Sequence, residues 1–306
     1  MLSSYHSKSE TTKAYIQMHL SIILWGLTGV LGRGIELSEG MLVWYRMLIT
    51  AASMLLFILF TKKSFAVSKA DFMKLLGIGF IITIHWLCFY GAIKYSNISI
   101  TLSMLASQGL FTALMEPLVT GKKIHKEELF FSVLAMVGIW LIFSVEKIYF
   151  TGIVLALLAS FLGAFFNIFN KSMVNRIEPV VVSFYEILTG VAMLTVFLPF
   201  YIGYFHPAKL IPNTNDWVLL FVLAVFCTHL TLMLSLSALK HLSAFTLNLS
   251  INLEPVYGIA LAFLIFHENE HLHWGFFVGG AIIMLSVLLH GYYASKQGIK
   301  ENEPTQ

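Results

Sequence analysis

VWYRMLITA at residues 43–51 and SFYEILTGV at residues 183–191 are two versions of one short segment. Each lies in the second long apolar run of its half of the chain, and the two halves share the same hydrophobic layout. The pattern predicts one structural unit written twice, over residues 1–146 and 147–306. AIKY at 92–95 and its echo ALKH at 238–241 favour the same division.

The composition is that of a membrane protein. Of 306 residues, 58% are hydrophobic and 11% are charged, and the mean hydropathy is +0.82. Soluble domains carry about 25% charged residues, so we expect an integral protein in contact with the lipid bilayer. The net charge of +3 and the dispersed lysines exclude a nucleic-acid partner. Cys88 and Cys227 lie inside apolar runs, which argues against a disulfide framework.

Ten apolar runs have the length, roughly 20 residues, that crosses about 30 Å of hydrocarbon. They cover residues 14–32, 41–60, 73–93, 99–120, 128–145, 151–169, 180–203, 217–239, 244–266 and 273–293. None shows the period-2 alternation of a barrel strand. We therefore predict an all-α membrane protein with ten transmembrane helices. Because each half holds an odd number of spans, the two five-helix repeats have to be inverted.

The basic residues predict the orientation. Of the 19 lysines and arginines, 14 fall in loops on the side of both termini, four fall on the other side and Arg46 lies within a span. The four are Arg33, Lys94, Lys147 and Lys209. Cytoplasmic loops of membrane proteins carry the excess of positive charge, so both termini are expected in the cytoplasm.

Arg46 and Glu186 occupy the same position of the repeated segment. An unpaired charge at this depth costs several kcal/mol. They are candidates for an ion pair or for gating elements that change partners between conformations. A structural ion pair, or an arginine that reaches the membrane boundary, is the plainer alternative.

The ninth run is the most polar. Thr246, Ser250, Glu254 and Tyr257 follow helical spacing along one face, and Asn252 lies on the far side. Pro255 then interrupts the helix, and transporter sites tend to form at such breaks. Glu254 is the leading candidate for binding a substrate or a proton. It has a structural alternative as a neutral buried acid, and the asparagine has one as a hydrogen-bond partner of neighbouring helices.

Three further runs supply candidate wall residues for a cavity. Gln108 belongs to a polar stripe in the fourth run, His85 stands beside Trp86 in the third, and His229 lies in the eighth. Histidines titrate near neutral pH. Hydrogen bonding between helices explains the same residues without a substrate.

His267 to His271 spell H-E-x-x-H, the signature of zinc hydrolases, with His273 nearby. The pentad lies between two predicted spans, and a suitable third ligand is not evident. A zinc-dependent membrane hydrolase therefore remains a minor alternative, and we expect no enzyme, no metal and no cofactor. No ATP-binding P-loop occurs, so transport by this chain would be secondary.

Taken together, Trp25 with Gly26, Arg46, the AIKY and ALKH pair and LEPV at 253–256 resemble the drug/metabolite transporter superfamily, in particular its ten-span EamA-type members. The resemblance covers both halves. It implies a central cavity that opens alternately to each side of the membrane. The substrate-binding candidates are Trp25, His85, Gln108, Asn167, His229, Asn252, Glu254 and Tyr257. The family often carries Gly-Glu after the fourth span of a repeat, which accounts for Glu268 without zinc. The first repeat has Gly121 and Lys122 there instead.

We therefore expect an exporter of small amphipathic metabolites, such as amino acids or amines, in a bacterial inner membrane. A proton is the candidate coupling ion, and the chain is expected to act as a monomer or homodimer. A passive pore or a membrane scaffold is the alternative outside transport by alternating access.

Overall fold

The computed structural model describes residues 2–121, 126–145, 149–251 and 253–301, and it contains only helices in these ranges. The first half contains α1 (Leu2–Gly34), α2 (Glu39–Phe60), α3 (Lys69–Tyr95), α4 (Ile98–Leu105), α5 (Gln108–Thr120) and α6 (Lys126–Val145). The second contains α7 (Phe150–Val174), α8 (Pro179–Phe205), α9 (Thr214–Ala224), α10 (Thr231–His241), α11 (Ala244–Ile251), α12 (Glu254–Phe266) and α13 (Trp274–Glu301). A π-helix, Val225–Leu230, joins α9 to α10, and a 3₁₀ turn, Glu268–His271, precedes α13.

Within the described ranges, seven helical segments are long and apolar enough to cross a membrane. They are Glu10–Gly34, Glu39–Phe60, Lys69–Tyr95, Ile98–Thr120, Phe150–Val174, Pro179–Phe205 and Thr214–His241. The other three predicted runs lie in α6, in α11 with α12, and in α13. Large apolar side chains such as Phe60, Trp140 and Phe200 are exposed on the outer surface, where lipid replaces water. The prediction of an all-helical integral membrane protein is confirmed.

Two of the predicted spans are broken helices of matching form. In each, an eight-residue helix is followed by a 13-residue helix, α4 by α5 and α11 by α12. Asn97 and Ser243 cap the two shorter helices, accepting hydrogen bonds from the backbone N–H groups of Ile100 and Thr246 at 2.8 and 2.9 Å. The longer helices end at Gly121 and His267, both in the left-handed conformation.

Small residues set the closest helix crossings. A Cβ on Gly138 of α6 would lie 2.6 Å from the carbonyl oxygen of Gly279 on α13, and the reverse distance is also 2.6 Å. A Cβ on Gly190 of α8 would lie 2.1 Å from Cε of Met47 on α2. Met47 and Gly190 belong to the two repeated segments, so these segments pack against each other. Close backbone approach of this kind is the usual basis of helix association in membranes.

Ion pairs join the ends of the helices. Arg176 contacts Asp71 at 3.0 Å, and Lys63 contacts Glu178 at 2.7 Å. The hydrogen bond from Lys63 lowers the pKa of Glu178, which keeps this exposed carboxylate ionised at neutral pH.

Glu268, the acid of the H-E-x-x-H motif, caps α4. Its carboxylate accepts hydrogen bonds from the backbone N–H groups of Ile98 at 3.2 Å and Ser99 at 2.9 Å, and from the Ser99 hydroxyl at 2.6 Å. It also forms an ion pair with Arg33 at the end of α1. These four interactions use the carboxylate for helix capping, which is a structural reason for an acid at this position.

Glu268→Ala is expected to lower the free energy of unfolding by about 1–3 kcal/mol, because buried N–H groups of α4 lose their acceptor. Glu268→Gln is expected to cost less, because the amide oxygen still accepts from the backbone. Thermal unfolding of the purified variants measures both effects, and equal stability of Glu268→Ala and the wild type would contradict the capping role. A zinc hydrolase that uses this motif would lose its cleavage activity in Glu268→Gln. A variant that keeps most of the activity of the wild type would therefore count against the hydrolase alternative.

Candidate substrate site

A cavity is lined by residues of α1 to α5, α7 and α10 to α12. Its volume is about 80 Å³, which is room for several water molecules. The polar lining consists of Thr28, Arg46, His85, Gln108, Asn167 and Glu254. The aromatic lining consists of Trp25, Trp86, Phe89 and Phe166.

The structure brings five of the eight predicted substrate-binding residues to this cavity. They are Trp25, His85, Gln108, Asn167 and Glu254. Gly163 makes room for one of them, because a Cβ there would lie 2.8 Å from Oε1 of Gln108. The Nδ1 atom of His85 lies 2.7 Å from the carbonyl oxygen of Ala159. That contact fixes the imidazole against α7.

Gln108 and Glu254 reach the cavity in the same way, each as the first residue of the second helix of a broken span. The partial positive charge of a helix N-terminus is therefore present twice at the cavity. Leu105 and Ile251, the last residues of α4 and α11, also line it. Half-helix ends that meet at a cavity are the usual construction of transporter sites.

Arg46 is the cation of the cavity, and its side chain is buried. Its Nε donates to Oγ1 of Thr228 at 2.8 Å, and its Nη1 donates to the hydroxyl of Tyr90 at 2.7 Å. The guanidinium carbon lies 3.9 Å from the centre of the Trp86 ring. Because both hydrogen-bond partners are uncharged, the positive charge of Arg46 is held in place without being neutralised by them.

Glu254 is the acid of the cavity and is also buried. Its carboxyl makes no hydrogen bond to another residue in the described part of the chain, although Arg46 is near enough to attract it. No ion pair within 4.0 Å joins the two side chains. The cavity therefore contains Arg46 and Glu254 as separate charged or acidic groups between aromatic walls. This arrangement suits a ligand that carries one positive and one negative group.

Arg46 and Glu186 do not pair in this conformation. Glu186 is buried on α8 near Asn170, whereas Arg46 bonds to Tyr90 and Thr228. The direct ion pair considered from the sequence is therefore not formed here, since the two side chains point to different neighbours.

His229 and Tyr257 lie outside the cavity lining. The ring of His229 contacts Ser53 on α2, with Nδ1 2.9 Å from Oγ, and Nε2 lies 3.1 Å from the sulfur of Met233. Tyr257 is 41% exposed and lies next to Gly26 on the outer side of α12. The remaining candidate, Asn252, falls outside the described residues.

Phe89 and Phe166 line the cavity but do not stand out in the sequence. Phe89 follows His85 by one helical turn, and their rings stack at 6.4 Å. A helical-face argument extended from His85 would have found it. Phe166 precedes Asn167 among many similar phenylalanines, and no spacing distinguishes it.

Comparisons with known proteins agree with this architecture. The EamA-like transporter family model matches the chain twice, over residues 12–144 and 150–292. The chain is 24% identical to the uncharacterized transporter YxxF of Bacillus subtilis (strain 168), over 84% of this chain and 83% of that one. A solved crystal structure has the same fold, with a TM-score of 0.66 and 13% identity, covering 92% of this chain and 96% of the other. Since the family model spans most of its length, the chain belongs to the EamA-like transporter family and is a membrane transporter.

Proposed function

We propose that this transporter is a secondary active exporter of small amphipathic metabolites, with amino acids as the favoured class and amines next. The observation that carries the proposal is that Arg46 and Glu254 line the same cavity without forming an ion pair with each other. Arg46 binds the substrate carboxylate and Glu254 binds its ammonium group. Gln108 and Asn167 supply polar contacts between these ends, and Trp25 belongs to the wall that receives the apolar side chain.

The proposed mechanism is alternating access by two inverted five-helix repeats. Two features support it. The family model matches each half separately, and the first helix of each half packs on the other half in an equivalent way. α1 contacts α10 and α12, and α7 contacts α3 and α5. Rocking of one repeat against the other then exposes the cavity to each side in turn.

The charged helix ends supply the two gates in this proposal. Arg33 with Glu268 joins the halves at one end, and Lys63 with Glu178 joins them at the other. From the distribution of basic loops, the Lys63 end is cytoplasmic and both termini lie on that side, in a bacterial inner membrane.

A thermal-shift screen of the detergent-purified protein tests the proposal, with amino acids, polyamines, nucleotides and drug-like cations as probes. A ligand that binds only the folded state raises the unfolding temperature, so we expect a saturable shift with amino acids. Two derivatives of each amino acid test the carboxylate and the ammonium group separately. The methyl ester lacks the carboxylate and the N-acetyl derivative lacks the ammonium group, so each should give a weaker shift than the parent amino acid.

Counterflow of radiolabelled amino acids in proteoliposomes then measures transport directly. Saturable exchange supports the proposal. Flux that rises linearly with concentration would indicate a passive pore, and the absence of both a thermal shift and flux would overturn the amino-acid assignment.

A further inference from the structure

A second buried polar cluster lies on α7 and α8, apart from the substrate cavity. Asn170 and Ser183 are fully buried, and Glu186 is 1% exposed. Both oxygens of Glu186, both polar atoms of the Asn170 amide and the Ser183 hydroxyl make no hydrogen bond to any described residue. The Asn170 amide nevertheless lies close to the Glu186 carboxyl, and Ser183 lies one helical turn before Glu186 on the same face of α8.

The backbone of α8 at Glu186 is in direct contact with α3. A Cβ on Gly79 would lie 2.6 Å from the backbone oxygen of Glu186 and 2.7 Å from Cβ of Thr189. One turn further along α8, Gly190 is covered by Met47 and Thr83. α3 and α8 are therefore in backbone contact at Glu186, and the 1% exposure of this residue keeps bulk water away from its carboxyl.

This environment suits a carboxylic acid and not a carboxylate. A buried anion without a hydrogen-bond partner is costly in hydrocarbon. Once protonated, the acid O–H can donate to Oδ1 of Asn170, while Nδ2 of Asn170 donates to the other carboxyl oxygen. A bound proton thus gives hydrogen bonds to both groups and removes the charge.

Four charged or histidine side chains on the helices that pack against α8 have other partners. Arg46 bonds Tyr90 and Thr228, and His85 contacts the Ala159 carbonyl. Lys171 donates to the carbonyls of Leu239 and Leu242, and Lys240 lies near Glu178. The remaining ones lie within the first or last two turns of their helices: Glu39, Lys69, Asp71, Lys74, Lys94 and His241.

The cluster lies between the cavity and one charged end of the bundle. Asn167, which lines the cavity, is one turn from Asn170 on α7. Glu186 is seven residues beyond Pro179, the first residue of α8, which corresponds to about 10 Å along the helix. At that end Glu178 pairs with Lys63.

From these contacts we infer that Glu186, with Asn170 as its hydrogen-bond partner, is a proton-binding site that couples transport to the proton gradient, separate from the substrate site. The inference rests on the proposed transport function. The Glu186 carboxylate takes up a proton when the helices separate on the outer side. The same proton leaves when α3 and α8 separate at the Lys63 end. While the two helices are in contact, the Glu186 carboxyl is protonated and neutral.

Infrared difference spectra during a pH titration of the purified protein test the site without any substrate. We expect a band from the C=O stretch of a protonated carboxyl at neutral pH in the wild type and in the control Glu178→Gln, which alters an exposed acid next to the same helix. The band should disappear in Glu186→Gln and change frequency in Asn170→Leu. A spectrum of Glu186→Gln identical to that of the wild type would overturn the site.

Proteoliposomes test the coupling, with the twenty protein amino acids as probes and the membrane potential held at zero. For one-to-one exchange with a proton, one pH unit supports about tenfold accumulation. Glu186→Gln should retain counterflow at equal pH but lose this accumulation, whereas Glu186→Asp should keep part of it. Accumulation at the wild-type level in Glu186→Gln would refute the coupling. If the wild type shows no counterflow, the amino-acid proposal fails, and the infrared spectra still decide whether Glu186 binds a proton.

Discussion

Glu254→Gln is expected to weaken amino-acid binding by roughly 10- to 150-fold, because a hydrogen bond to a charged group contributes about 1.5–3 kcal/mol. The substitution keeps the size of the side chain and removes the carboxyl group that we propose ionises when it binds the ammonium group. Glu254 makes no hydrogen bond to the rest of the described chain, so we expect the fold to be retained. The loss should therefore appear in the dissociation constant and not in the unfolding temperature of the ligand-free protein.

The chemistry of the ligand provides the control for this prediction. An N-acetyl amino acid lacks the ammonium group that Glu254 is proposed to bind, so its weaker affinity should be the same in the wild type and in Glu254→Gln. Calorimetric titration of both proteins with both ligands completes the comparison. An equal loss of affinity for the two ligands would contradict the assignment of Glu254 to the ammonium group.

Arg46→Met is expected to have the largest effect of any single change at the cavity. The hydroxyl of Tyr90 is fully buried and would lose its donor, as would Oγ1 of Thr228. Loss of these contacts, together with the cation–π contact on Trp86, should lower the free energy of unfolding by about 2–4 kcal/mol. Binding of carboxylate-bearing ligands should be lost as well.

Two further variants separate the structural and binding roles of Arg46. Arg46→Lys keeps the charge but cannot reach Tyr90 and Thr228 with a planar fork, so it should recover part of the binding and little of the stability. Tyr90→Phe removes one partner and should lower the cost of Arg46→Met, because contacting residues are not additive. Thermal unfolding and ligand titration measure both quantities. Undiminished preference of Arg46→Met for the amino acid over its methyl ester would contradict the carboxylate assignment.

The sequence predicts the helical membrane fold well because hydrocarbon leaves few alternatives. Backbone polar groups in a bilayer have to bond within the segment, so a long apolar run becomes a helix. The break at Pro255 can also be predicted, because proline has no backbone N–H to bond within the helix. The matching break before Gln108 cannot be predicted in this way, because no proline stands there. At that break the hydroxyl of Ser107 bonds to the carbonyl oxygen of Met104 and to Ser160.

The wall residues are harder to predict because small changes in helical geometry redirect side chains. Thr228 and His229 lie in the π-helix, where the Thr228 hydroxyl donates to the carbonyl of Leu223, five residues earlier. The extra residue in this turn directs Thr228 to Arg46 and His229 toward α2. The spacing predicts that Tyr257 shares a helical face with Glu254. Among the described residues of α12, the cavity is lined only by Glu254, so Tyr257, one turn later, lies outside it.

The one-sided cap on α4 has an energetic consequence in the proposed inverted arrangement. Two identical repeats would exchange between two end states of equal free energy, but Glu268 has Lys122 as its counterpart in the first half. The Arg33 end is held by the Glu268 cap, whereas the opposite end is held by the Lys63–Glu178 and Arg176–Asp71 pairs. Each 1.4 kcal/mol of difference between these two sets of contacts shifts the resting population tenfold. The two end states of the proposed cycle should therefore differ in population, and the sign of the difference depends on which of these two sets of contacts is the stronger.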